Sequence, residues 1–225
     1  MTKACKVSLF AIVAVLFAAA PAALGDSATL TLTGAGSNIV NSVYIGPYTA
    51  TIAGTPGSVQ VICDDYTHDS YVGQTWTANV SSFPNLTNAR FTGSNETQNY
   101  DEVAYLANTL FNIAGTDNAQ ADALQYAIWD IFDPAAIATS TCFGAAAYDC
   151  VSYWLQTAQN QQYYAGEFSN ILIYTPQTTG NPQEFIVRTP EPGTLVLLFM
   201  GLAGLFLLKG MKSGKISLFG GAKAC

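Results

Sequence analysis

The sequence predicts an α+β fold in which β-sandwich or barrel-like strands surround a helical insert of about three helices. Three observations support it. Short segments rich in β-branched and aromatic residues lie on both sides of the middle of the chain, and that middle has apolar residues at helical spacing. No repeat of 20–50 residues interrupts this order. Apolar runs near both termini add an N-terminal signal peptide and a C-terminal transmembrane helix.

The N-terminal segment 1–25 is typical of a secretory signal peptide. Lys3 and Lys6 precede an apolar run of h-region length, and small residues in "AAPAALGDS" follow it. Cleavage is expected after Ala22 or Gly25. The chain is therefore predicted to be exported.

The C-terminal segment 189–225 contains a second apolar run, "GTLVLLFMGLAGLFLL", over 193–208. Lysines that flank a short span can extend to the membrane interface, so this run is predicted to cross the bilayer. Every charged residue after it is a lysine. By the positive-inside rule this tail stays in the cytoplasm and the preceding domain is translocated.

The exported domain, 26–188, begins with three predicted strands, each bounded by Gly, Pro, Asn or Ser. They are "SATLTLTGA" (27–35), "SVQVICDDY" (58–66) and "QTWTANV" (74–80). A polar loop is expected over 81–99. Two further strands, "NILIYTP" (170–176) and "QEFIVR" (183–188), close the domain.

Helices are predicted over 101–113, 117–132 and 145–164, where apolar residues recur three or four positions apart. Asp117 is expected to cap the second helix, with Gln120 three residues on. The Asp133-Pro dipeptide ends that helix.

The exported domain is strongly acidic and contains no lysine. Fourteen of the fifteen acidic residues lie in 26–188, where Arg90 and Arg188 are the only basic residues, so its net charge is −12. Such a surface repels nucleic acid and anionic membranes. The absence of lysine excludes a Lys–Asn isopeptide crosslink within the domain.

The chain has five cysteines, and an odd number of them, three, lies in the exported domain. Cys5 leaves with the signal peptide and Cys225 lies in the cytoplasmic tail, so Cys63, Cys142 and Cys150 remain. An oxidising compartment favours disulfides, and a Cys142–Cys150 bridge would close a small loop. Cys63 is then a buried free thiol, a partner for another molecule, or an alternative partner for Cys142 or Cys150. The spacing leaves these alternatives open.

A glutamine lies beside the apolar stripe of the second predicted helix, in "ALQYAIWDIF" (123–132). Gln125 follows Leu124, and Trp129 comes one turn later. A carboxamide among such residues is partly desolvated and needs partners. Its presence therefore marks a candidate site.

A cysteine at the end of a strand, "ICDDY", followed by a helical "LQYAIW", resembles the thioester-domain family of bacterial surface adhesins. The resemblance covers roughly 58–132 and implies that Cys63 and Gln125 condense into an internal thioester. Ala127, Ile128 and Trp129 match the residues after the family's glutamine. Aromatic side chains are the candidates that shield the bond from water: Tyr66, Tyr126 and Trp129, with Trp76 and Phe132 also considered.

The stretch "TPEPGT" immediately before the apolar run resembles the PEP-CTERM sorting signal of Gram-negative bacteria. Its motif residues are Pro190, Glu191 and Pro192, followed by the predicted membrane helix and the basic tail. The resemblance implies an exosortase-type processing enzyme as partner. It also implies a transient inner-membrane anchor and final placement on the outer surface or in the extracellular matrix.

Other chemistries have weaker support. His68 lies five residues after Cys63, which on a strand places the two on opposite faces, so a thiol protease is not predicted. Asp64, Asp65 and Asp69 lack the glycine and distal glutamate of a calcium loop. No zinc pattern, phosphate loop or Ser–His–Asp arrangement is visible, and no cofactor is expected.

The sequence thus predicts a non-enzymatic exported protein that uses a Cys63–Gln125 thioester to attach to an amine or hydroxyl of a surface polymer or protein. The alternative is a passive protein of the exopolysaccharide or biofilm matrix, in which Cys63 is structural.

Overall fold

A computed structural model describes residues 27–36, 38–189 and Gly201. They fall almost entirely within one compact unit of the chain, Ala23–Pro190. The predicted signal peptide 1–25 and the motif residues Pro190–Pro192 lie outside the described residues. So does the predicted span 193–208, apart from Gly201. No helix in the described part of the chain is long and apolar enough to cross a membrane.

The described residues form eight strands: β1 Ser27–Gly34, β2 Asn38–Val40, β3 Val43–Ile45, β4 Tyr48–Ile52, β5 Val59–Cys63, β6 Thr75–Ser82, β7 Ile171–Pro176 and β8 Phe185–Arg188. Six of them close into an antiparallel barrel, in the order β1-β4-β5-β8-β7-β6. The other two, β2 and β3, form a separate hairpin. The barrel confirms the predicted strands at both ends of the domain.

The barrel interior is filled by alternate side chains of each strand, as the pleat requires. On β5, Val61 and Cys63 belong to the interior cluster, whereas Ile62 packs with the helices. The same division separates Phe185 from Ile186 on β8. The interior cluster consists of Leu30, Leu32, Tyr48, Ala50, Ile52, Val61, Cys63, Trp76, Ala78, Leu172, Tyr174, Phe185 and Val187.

Three helices lie between β6 and β7 and cover one outer face of the barrel. They are α1 Glu96–Ile113, α2 Asn118–Phe132 and α3 Val151–Gln159, with a 3-10 turn at Ala147–Asp149. In α2 every residue from Ala121 to Asp130 is buried. The predicted cap is present, since the Asp117 carboxylate accepts a hydrogen bond from the Gln120 N–H at 3.1 Å.

The β2–β3 hairpin packs on α2 and pairs with no strand of the barrel. Its two-residue turn, Asn41–Ser42, has positive φ at both positions (51° and 68°), which is typical of tight hairpin turns. Asn38 donates a hydrogen bond to the carboxylate of Asp122, and the Tyr126 hydroxyl donates to the Val40 carbonyl at 3.4 Å. This hairpin, whose strands have only three residues each, was not predicted, and neither was strand β4, although its sequence YTATI does alternate.

The third helix is shorter than predicted. A disulfide joins Cys142 to Cys150, as expected, and the pair also forms an isolated antiparallel bridge. The helix therefore starts only after Cys150, and it ends at Gln159 instead of residue 164. Conversely, α1 begins five residues before the predicted start, within the segment expected to be loop.

Candidate functional site

Cys63 is the last residue of β5, at the rim of the barrel, and it is fully buried. It is the one free cysteine among the described residues. Its sulfhydryl donates to the Asp65 carbonyl at 3.2 Å, and the Asp65 N–H approaches the sulfur at 3.4 Å. The chain turns immediately after the strand, so these contacts fix the thiol where the barrel meets the helices.

Gln125 projects from the buried face of α2 towards the same rim and is also fully buried. Its carboxamide nitrogen donates to the backbone carbonyl of Cys63 at 2.8 Å. Its carboxamide oxygen accepts from the Gly46 N–H at 3.2 Å. Both ends of the carboxamide are thus held by backbone groups, and one of those groups belongs to the residue that carries the thiol. The structure brings together the two residues that the sequence singled out.

The surroundings of Cys63 favour the neutral thiol. Burial raises its pKa well above the usual range, and the neighbouring carboxyl groups of Asp64 and Asp65 raise it further. A hydrogen bond from the Asp65 backbone and the nearby Trp129 side chain act in the opposite direction. Because the thiolate is the reactive form, the site holds its sulfur in a protected state.

The three predicted shielding residues, Tyr66, Tyr126 and Trp129, form one aromatic cluster on the buried side of α2. The ring centroids of Tyr66 and Trp129 are 5.2 Å apart, and those of Tyr126 and Trp129 are 5.1 Å apart in an edge-to-face arrangement. Tyr126 and Trp129 are buried, and Tyr66 is half-buried. The other two candidates lie elsewhere: Trp76 packs on Phe185 inside the barrel, and Phe132 stacks on Phe91.

An ion-pair network lies directly after Cys63 in the chain. The buried Asp65 carboxylate pairs with the Arg90 guanidinium, and His68 Nδ1 lies 2.9 Å from it. Arg90 also donates to the Pro182 carbonyl at 2.9 Å. His68 therefore contacts an aspartate rather than the cysteine.

A second buried carboxyl pair adjoins this network. Glu184 accepts hydrogen bonds from the Tyr100 hydroxyl at 2.6 Å, from the Arg90 N–H at 2.9 Å and from Thr175. No donor among the described residues serves either carboxyl oxygen of Asp64. Burial raises the pKa of Asp64, and neighbouring Glu184 and Asp65 raise it further. Burial without a hydrogen-bond donor therefore favours the protonated, neutral form of Asp64.

The described residues contain no group of three side chains arranged to bind a metal ion. Asp64 and Asp65 serve the networks above, and Asp69 uses its backbone N–H to bond the Asn181 side chain at 2.7 Å.

Sequence reasoning missed Gly46, Arg90 and Glu184. A Cβ on Gly46 would lie 2.7 Å from the carboxamide oxygen of Gln125, so glycine permits this close approach. The Gly46-Pro47 dipeptide indicates a turn, but nothing in it indicates that the Gly46 N–H bonds Gln125. Arg90 was visible as one of two basic residues in the exported domain, whereas nothing in the sequence placed Glu184 beside it.

The geometry defines an antiparallel six-stranded barrel, covered on one outer face by helices, with a buried cysteine–glutamine pair at its rim. In a comparison with protein families, residues 188–212 match the PEP-CTERM protein-sorting motif, which spans 25 of the 225 residues. Such signals mark exported proteins of Gram-negative bacteria that pass through a membrane-anchored state and are sorted by an exosortase. No curated protein and no solved structure matches the chain.

Proposed function

We propose that this exported protein forms an internal thioester between Cys63 and Gln125 and uses it once to attach covalently to a surface nucleophile. The observation that carries the proposal is the contact between the two fully buried residues, with the Gln125 nitrogen 2.8 Å from the Cys63 carbonyl oxygen. The sorting signal supports a location where such an anchor meets polymers and other proteins.

The condensation needs no external reactant. The Cys63 sulfur attacks the carboxamide carbon of Gln125, the carbon–nitrogen bond breaks, and the thiol proton leaves with the nitrogen as ammonia. The product is an uncharged acyl group in a site that disfavours the thiolate. The rigid strand and helix supply the orientation that makes such an intramolecular step fast.

The second step is acyl transfer. An amine or hydroxyl attacks the thioester carbonyl, forms an amide or ester with the Gln125 side chain, and restores the Cys63 thiol. The aromatic group of Tyr66, Tyr126 and Trp129 limits competing attack by water. The absence of lysine from the exported domain removes the amines that would otherwise crosslink the protein to itself.

Intact-mass spectrometry of the full-length chain tests the proposal. The thioester form is lighter than the calculated chain by one ammonia, after allowance for the disulfide, and methylamine adds one adduct. Cys63→Ala and Gln125→Ala remove both signatures. Gln120→Ala, on the same helix but away from the site, retains them. A wild-type protein whose mass shows no loss of ammonia, and whose Cys63 thiol is fully alkylated, would refute the proposal.

The alternative is a passive matrix protein in which Cys63 packs like a small hydrophobe. Two observations favour this function. Cys63 belongs to the barrel-interior cluster, and the carboxamide of Gln125 already has hydrogen-bond partners at both ends. The same mass spectrum separates the two, because only a thioester loses ammonia.

A further inference from the structure

The Cys63–Gln125 pair is fully buried, so a nucleophile can reach it only if part of the structure moves. The barrel strands are joined by a closed hydrogen-bonded ladder, and α2 is buried along most of its length. The β2–β3 hairpin, 38–45, differs from both. It pairs only with itself and lies over the helix that carries Gln125.

Few hydrogen bonds tie the hairpin to α2. Asn38 bonds the Asp122 carboxylate at one end, and the Val40 carbonyl accepts a long bond from Tyr126. The side chains of Ile39 and Tyr44, which are opposite each other in the hairpin, are 55% and 47% exposed. A two-stranded hairpin of this size has little stability of its own. The hairpin is also held by the buried side chain of Ile45 and by a hydrogen bond from the Tyr48 hydroxyl to the Tyr44 carbonyl at 2.5 Å. Opening it nevertheless breaks no strand pairing of the barrel and no backbone hydrogen bond of helix α2.

The base of the hairpin reaches the reacting group directly. Gly46 follows Ile45, the last residue of β3, and its N–H lies 3.2 Å from the Gln125 carboxamide oxygen. This oxygen gains negative charge when sulfur attacks the carbonyl carbon. A backbone donor already aimed at such an oxygen lowers the barrier in many acyl-transfer sites.

We propose that the hairpin 38–45 is the gate to the Cys63–Gln125 pair, and that the Gly46 N–H at its base is the donor that polarises the reacting carbonyl. This inference rests on the proposed thioester. Closed, the hairpin excludes water and holds the donor in place for thioester formation. Open, it admits an amine or hydroxyl to the same carbon.

The gate is tested with Asn38→Ala, which removes the bond to Asp122. Methylamine should react with the thioester about fivefold faster, the factor expected when one hydrogen bond is lost from the closed state. Asn118→Ala, exposed at the start of the same helix, should react at the wild-type rate. Equal rates for Asn38→Ala and wild type would overturn the gate.

The donor is tested with Gly46→Ala, whose methyl group would displace the carboxamide oxygen. The fraction of freshly harvested chains that carry the thioester should fall at least about tenfold, because loss of one such donor slows acyl transfer strongly. Gly93→Ala, where a Cβ meets no atom within 4 Å, should match wild type. An unchanged thioester fraction in Gly46→Ala would overturn the donor role.

A measurement on the wild-type chain covers the case in which Gly46→Ala does not fold. Hydrogen–deuterium exchange at the Gly46 amide should be slow, and it should accelerate in Asn38→Ala. Fast exchange in wild type would overturn the donor role.

Failure of the underlying function gives a different result. If the wild-type mass shows no loss of ammonia, the thioester is refuted. The gate is then judged by iodoacetamide labelling of Cys63, mapped by peptide mass. Faster labelling in Asn38→Ala than in wild type would support the gate, and equal rates would overturn it.

Discussion

Replacing Arg90 with methionine should destabilise the protein by about 3–5 kcal/mol, the cost of removing one partner of a buried ion pair. The Asp65 side chain has no solvent exposure, and that of Arg90 is only 14% exposed. Asp64 and Glu184 are equally buried nearby. Without the guanidinium, the Asp65 carboxylate keeps only the His68 ring as a neighbouring nitrogen group of a basic side chain among the described residues, and two backbone carbonyls lose a donor.

The matched control is Arg188→Met, at the only other arginine of the exported domain. Its guanidinium lies 5.0 Å from the Phe111 ring centroid and bonds Asn112 at 2.7 Å on the surface. Cation–π contacts at exposed positions contribute about 0.5–1 kcal/mol, so the control should lose no more than about 1 kcal/mol. Urea unfolding followed by tryptophan fluorescence measures both variants. A loss below about 1 kcal/mol for Arg90→Met, or equal losses for the two variants, would refute the assignment of the buried pair.

Three further predictions concern single groups. Asp64→Asn should stabilise the protein by about 1–3 kcal/mol at pH 8 and by less at pH 4, measured by urea midpoints. The sign follows because the raised pKa of Asp64 gives stability at acid pH that is lost as pH rises and the buried carboxyl ionises. The double change Cys142→Ser with Cys150→Ser should cost about 2.5 kcal/mol in the same assay, the loop-entropy contribution of a bridge that spans eight residues. A gain in stability would contradict it. In Gln125→Ala, which leaves Cys63 free, the iodoacetamide rate should still rise above pH 9, because burial raises the thiol pKa beyond its usual value of about 8.5. A plateau near that value would refute the raised pKa.

Local patterns predicted much of the fold. Helix α2 was predicted within one residue, since its apolar stripe has helical period and Asp117 and Asp133 mark its ends. Strands β1, β5 and β6 were predicted from an equally local pattern, the alternation of apolar and polar residues between turn-forming residues. Residues that are near in sequence determine these features, so the sequence alone reveals them.

The rest depends on contacts between distant parts of the chain. Gly46 lies 79 positions from Gln125, and the Arg90 N–H bonds a carboxylate 94 positions away. No periodicity carries such information. Cys63 and Gln125 were paired only through a resemblance to known proteins, and the structure places them together for a reason the sequence did not show: both lie at the barrel rim where β5 meets α2.

The structure also explains why Cys63 does not form a disulfide. Disulfide exchange requires a thiolate with access to its partner. Cys63 has neither, since it is fully buried beside two aspartates that raise its pKa, and Cys142 and Cys150 are bonded to each other. The same protection slows attack of the sulfur on Gln125. A thioester at this site therefore depends on orientation and on polarisation of the carbonyl rather than on a reactive thiol. That requirement directs attention to the Gly46 N–H, the one backbone donor that contacts the carboxamide oxygen among the described residues.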